Sequence, residues 1–99
     1  MEDDLELYVC STDAKKLNII SSSSTTEVEL GFRPWALAFI DHTSYAVAGY
    51  PPSLQIRRKD NNDLIQNINV PNAVYSLAVS PDGQHLCVGM EGGLLFPFM

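Results

Sequence analysis

Sliding this chain against itself by about 40 residues lays Val28–Ile56 over Ile68–Phe96 without a gap. Identical residues meet at Leu37/Leu77, Ala38/Ala78, Gly49/Gly89 and Leu54/Leu94. Apolar character is kept at Val28/Ile68, Leu30/Val70, Trp35/Tyr75, Phe39/Val79, Val47/Cys87 and Ile56/Phe96, and the turn-prone Asp41-His42-Thr43 falls on Pro81-Asp82-Gly83. A looser copy begins at Tyr8-Val9-Cys10, passes a polar turn at Ser11–Lys16 and continues as Leu17-Asn18-Ile19-Ile20. Repetition at this interval means supersecondary units that bury their apolar faces only against one another.

Each unit reads as short strands. Trp35–Ile40 alternates bulky residues at 35, 37 and 39 with mostly small ones, and Tyr75–Ser80 repeats that alternation in phase. Period two is strand behaviour, and the apolar character of both faces suits a strand held between two layers. Pro81-Asp82-Gly83 is a turn with a mechanism: Pro presets φ, Asp bonds nearby backbone, and Gly accepts φ > 0. The expected strands are Leu5–Cys10, Leu17–Ile20, Glu27–Leu30, Trp35–Ile40, Tyr45–Gly49, Leu54–Arg58, Leu64–Val70, Tyr75–Val79, His85–Met90 and Leu94–Phe98. Only Met1–Leu30 and Ser53–Val70 are long enough without Gly or Pro for a helix, and Ser21–Thr26 and Lys59–Asp63 interrupt them with turn-prone composition. The expected fold class is all-β.

Composition narrows the function classes. Twelve Asp/Glu against six Lys/Arg give a formal charge of −6, which disfavours nucleic acid and anionic lipid as whole-surface partners. No run approaches the roughly 18 apolar residues of a membrane helix, and Met1-Glu2-Asp3-Asp4 is acidic where a secretory signal would be basic. The expectation is therefore an intracellular protein, cytoplasmic or nuclear. With 45% apolar and 9% aromatic residues the chain is rich enough to fold. Cys10 and Cys87 lie in apolar runs without a Cys or His neighbour at zinc-ligand spacing, so they read as small buried thiols.

Val74–Gly89, with its Ser80-Pro81-Asp82-Gly83 hairpin, resembles the first two strands of a WD-repeat β-propeller blade. Glu91-Gly92-Gly93-Leu94 is similar to the next turn of such a blade, and Ser11–Ile19 to the Asp-bearing turn followed by a third strand. Leu30–Ala38 is similar to the YVTN-type propeller repeats. The resemblance implies a partial β-propeller of antiparallel four-stranded blades, with blade-like units at about 5–30, 35–70 and 74–99. It departs from the WD pattern in two places. The Trp-Asp pair closing the third strand is replaced by Arg57-Arg58 and Pro97-Phe98, and the Gly-His pair before the first strand is missing. The family's hydrogen-bond network therefore has only Asp13 at a matching position, and Trp35, Tyr75, Leu37 and Leu77 are expected to make the contacts between blades.

Ten strands amount to about two and a half blades, whereas a closed ring needs at least four. The chain is then a fragment or short member of a larger propeller, or a subunit that assembles with copies of itself through exposed blade edges. The third reading is an unrelated small sandwich or barrel. Pro97 suits a strand with no partner on one side.

For chemistry, no Gly-x-Ser-x-Gly elbow or phosphate-binding glycine loop is present. His42 and His85 fall in or beside corresponding hairpins and read as exposed turn residues. Arg57-Arg58-Lys59 is followed by Asp60 and Asp63, giving either a docking patch for an acidic partner or a locally neutralised loop. Ser21–Thr26 is a flexible connector or a phosphate acceptor. The favoured function is a non-catalytic scaffold that binds proteins or peptides, with Arg33, Trp35, His42, Tyr50 and Arg57 as candidate contacts and no cofactor or metal. The alternative, a lactonase-like propeller enzyme, would need metal-binding or acidic residues around a closed channel. Both rest on analogy of fold.

Overall fold

Every regular element among the described residues of the computed structural model is a strand; it describes residues 5–90 and 95–98. The strands are β1 (Leu7–Ser11), β2 (Lys16–Ile20), β3 (Thr25–Glu29), β4 (Arg33–Phe39), β5 (Ser44–Tyr50), β6 (Ser53–Arg58), β7 (Leu64–Ile68), β8 (Val74–Val79), β9 (Leu86–Met90) and β10 (Leu95–Phe98). They form three antiparallel sheets in the orders β1-β2-β3, β4-β5-β6-β7 and β10-β9-β8. The acidic start Met1–Asp4, the turn expected at Glu91–Leu94 and Met99 lie outside the described residues.

The ten expected strands all appear, with small shifts at their ends. Thr25 and Thr26 are already paired in β3, so the serine-rich connector is shorter than its composition suggests. It is also ordered by its own bonds: Ser21 Oγ accepts from the amides of Ser23 and Ser24 at 3.4 and 3.2 Å. β7 ends at Ile68, and Val70 is buried just past it. Pro97, which has no N–H for a ladder, lies in β10 at the edge of its sheet.

Two apolar layers join the sheets. Leu17, Ile19, Val28, Leu30 and Phe32 meet Tyr45 and Val47 of the middle sheet, with Tyr8, Cys10 and Leu37 alongside. On the opposite face of that sheet, Ala36, Ala46, Ala48, Leu54 and Ile56 receive Val74, Leu86, Val88 and Met90, with Leu77 and Val79 packed against them. β5 supplies both layers by alternation, Tyr45 and Val47 to one side and Ala46 and Ala48 to the other, and it is buried from Ser44 to Gly49. The small alanines on one face let the bulkier face of the next sheet approach.

Strand pairing refines the repeat. Leu37 pairs with Val47 and Leu77 with Val88, so the interval is 40 residues along β4 and β8 but 41 after the hairpin. The hairpin of the third sheet holds one more residue. Gly89 therefore corresponds to Ala48, not to Gly49, since Ala48 pairs with Ala36 and Gly89 with Ser76.

Candidate functional site

Both first strands of the repeat carry a β-bulge at the same place. Pairing skips Trp35 between Pro34 and Ala36 on β4, and skips Tyr75 between Val74 and Ser76 on β8. An extra residue in one strand re-aims its side chain. Trp35 and Tyr75 thereby leave the face shared by Leu37 and Leu77 and stand half-exposed at one end of the sheets, a correction to the unbroken alternation read from the sequence.

A glycine accommodates each bulge. A methyl group on Gly49 would overlap the Arg33 carbonyl oxygen and press on the Trp35 amide. One on Gly89 would collide with Ser76 Oγ.

The re-aimed rings meet. Trp35 and Tyr75 are stacked with centroids 5.2 Å apart and planes 13° from parallel. Tyr50, at the end of β5, stacks on Trp35 at 5.8 Å and 12°. The three residues are 37% (Trp35), 46% (Tyr50) and 53% (Tyr75) exposed, so the stack stands open to solvent. Exposed Arg33 pairs in register with Tyr50 and sits beside it.

The five candidate contacts are therefore split. Arg33, Trp35 and Tyr50 share the aromatic end, whereas His42 and Arg57 lie toward the opposite end of the middle sheet, near the β4–β5 hairpin. His42 is an exposed turn residue there, and His85 occupies the corresponding hairpin of the third sheet. Arg57 Nε donates to Gln55 Oε1 at 3.0 Å and its Nη1 to the Asn62 carbonyl at 2.8 Å. Asn62 Oδ1 in turn accepts from Tyr45 Oη at 2.9 Å. Arg57 thus fastens the β6–β7 loop to a buried tyrosine, whose hydroxyl pKa burial pushes up to about 12 despite the nearby guanidinium.

The rest of the basic cluster is also occupied. Arg58 makes two bonds to Asp60, at 3.0 and 2.8 Å, and Lys59 Nζ lies 5.0 Å from the centre of the Phe39 ring. That end is the locally neutralised loop of the two sequence readings. It has its own aromatic cluster, with Tyr8 edge-on to Phe39 at 4.9 Å and to Tyr45 at 5.4 Å.

Tyr75 makes the expected contact between blades through its stack on Trp35, and also belongs to the exposed aromatic surface. Its alignment with Trp35 was the available signal, because residues at one repeat position share one environment. Asp13 stands exposed in the turn between β1 and β2. Burial raises the Cys10 thiol above its ordinary pKa, which suits a packing residue more than a nucleophile. Among the described residues no ligand-sized cavity is enclosed, and no three metal-ligating side chains gather.

Consecutive antiparallel sheets built of equivalent strands in the same order and packed face to face through apolar layers are blades of a β-propeller. Among solved structures, 17 chains match this one. One is the WD40 beta propeller domain of Doa1, on which this chain superposes with a TM-score of 0.83 at 18% identity. The match covers 95% of this chain and 33% of that one, so the chain spans about a third of the length of the structure it matches. The fold is thus a partial β-propeller, the architecture that the resemblance in Val74–Gly89 implied. No family model and no curated protein matches the sequence.

Proposed function

We propose that the chain is a non-catalytic protein-interaction scaffold, part of a larger propeller assembly, and that it engages its partner through the end of the blades bearing Trp35, Tyr50 and Tyr75. One observation carries this reading: three aromatic side chains, two of them re-aimed by bulges at equivalent repeat positions, stay half-exposed and stacked where burial would otherwise be favourable. Tyr and Trp supply large, rigid contact area at low entropic cost and dominate the energetics of protein interfaces. Arg33 extends the surface with a charge, while His42 and Arg57 are assigned to the far end and to loop fastening. The two free, half-buried thiols suit a reducing, intracellular setting.

The test is affinity capture with wild-type chain and with Trp35→Ala in parallel. Trp35→Ala is expected to lose the retained protein while costing only about 1–2 kcal/mol of stability, in keeping with a partly exposed stacked ring. Retention of the same partner by the variant would remove this surface from the account. Metal-dependent esterase turnover by the purified chain would favour the enzyme reading instead.

A further inference from the structure

We infer that a second copy of this chain covers its two end sheets. The outer face of β1–β2 in one copy docks head to tail on the outer face of β8–β9 in the other, and two copies close a six-sheet ring. This rests on reading the chain as part of a larger propeller assembly and names the partner that completes it. Both layers inside the chain are built by one rule. The middle sheet turns Tyr45 and Val47, with Leu37, toward Tyr8 and Cys10 of the first sheet. The third sheet turns Leu86 and Val88, with Leu77, toward Ala46 and Ala48 of the middle sheet. Each layer thus sets one face of a sheet on the opposite face of the sheet before it in the chain.

Register carries both faces to the ends. β1 pairs with β2 as β5 pairs with β6, so Leu7 and Val9 stand where Tyr45 and Val47 do, and Ile20, opposite Leu7, shares their face. These three are 54%, 41% and 38% exposed. At the other end, Ser76 pairs with Gly89 and Ala78 with Cys87, as Ala36 pairs with Ala48 and Ala38 with Ala46. The small residues Ser76, Ala78, Cys87 and Gly89 therefore answer to the alanine face of the middle sheet, and Ser76 and Ala78 are exposed. One end of the chain carries the knobs, and the other the shallow seat, that its own internal layers use. Contacts of this kind are heterologous and close into a ring only where the number of units fits. Propellers hold about 4–8 sheets. With three sheets among the described residues of each chain, one copy falls short, three overshoot, and two fit. The first sheet has no described counterpart of β4, hence none of Leu37, so the junction buries less than the internal layers and is reversible.

Sedimentation equilibrium of the full chain between about 1 and about 500 µM reads the assembly directly. The expected mass climbs from 10.9 kDa and levels off at twice that value. A chain that stays at 10.9 kDa, or whose mass keeps rising past two copies, overturns the ring. Cys87 lies in the seat, so its alkylation on the wild-type chain should slow in step with the dimer fraction, and an unchanged rate overturns the assignment of that face. Val9→Arg and Ala78→Arg each bring a charge into one half of the junction, so each variant alone should remain a monomer. Mixed one to one, they join the intact face of each, and a two-copy species returns with weaker affinity than the wild type, which has two junctions. A variant that still pairs with itself, or a mixture that stays monomeric while circular dichroism shows both variants folded, overturns the head-to-tail arrangement. If the wild type is monomeric while protein capture still depends on Trp35, this inference falls and the scaffold reading stands. If the dimer forms while capture ignores Trp35, the aromatic surface falls and this inference stands.

Discussion

Asp41 organises the β4–β5 hairpin with a single carboxylate oxygen. Its Oδ1 accepts from the Thr43 amide (2.8 Å) and hydroxyl (2.7 Å) and from the Ser44 amide (3.0 Å) and hydroxyl (3.2 Å). These bonds, those from Thr43 foremost, hold its pKa at about 2, below the ordinary 3.8. A carboxyl depressed on folding stabilises the folded state fully above its unfolded pKa and loses that contribution as pH falls through its folded pKa. The hairpin should therefore hold at pH 5 and loosen progressively between about pH 4 and pH 2. Following the Asp41 carboxyl and the Thr43 amide by NMR across that range checks it, and a midpoint near 4 would mean the bonds do not form in solution. The third sheet repeats the device with different residues: Asp82 accepts from Ser80 Oγ and the Gln84 amide, and Gly83 takes φ +73°. Both turns were legible, because Asp, Pro and Gly act locally. The fastening role of Arg57 was not, since it depends on Asn62 and Tyr45 being brought to it by the strand order.

At the scale of elements, the strands were readable from period-two alternation bounded by turn residues, and the bulges were not. A bulge keeps the apparent alternation of Trp35-Ala36-Leu37 intact in the sequence while turning Trp35 out of the face it shares on paper with Leu37. The one-residue difference between the hairpins is hidden in the same way, and it made Gly49 and Gly89 look equivalent when they sit on either side of the skipped position. Gly49 lies where the bulged strand passes closest, with its missing Cβ directed at the Arg33 carbonyl. Gly49→Ala is expected to destabilise by about 1–3 kcal/mol through overpacking and to shift the Trp35 fluorescence maximum, because relief of the clash moves the bulge itself. Chemical denaturation followed by that fluorescence gives both numbers from one experiment. An unchanged spectrum and midpoint would place β4 and β5 in a different register.

Among its described residues the whole molecule is a stack of three, four and three strands with apolar layers between them. Its middle sheet is covered on both faces and its end sheets, among the described residues, on one. The pairing of β1 with β2 makes Leu7 and Val9 the counterparts of Tyr45 and Val47. The latter two are 0% exposed, whereas Leu7 and Val9 are 54% and 41% exposed. A propeller blade buries that face against its neighbour, and among the described residues no strand pairs with the edge of β1 where the middle sheet has β4. The repeat foretold this incompleteness from strand number alone. Which residues would be left bare needed the register. Static and dynamic light scattering on the isolated 99-residue chain tests the central claim most directly. Blades that depend on neighbours should give a mass rising with concentration above 10.9 kDa, and a monodisperse, compact species of 10.9 kDa at every concentration would contradict it.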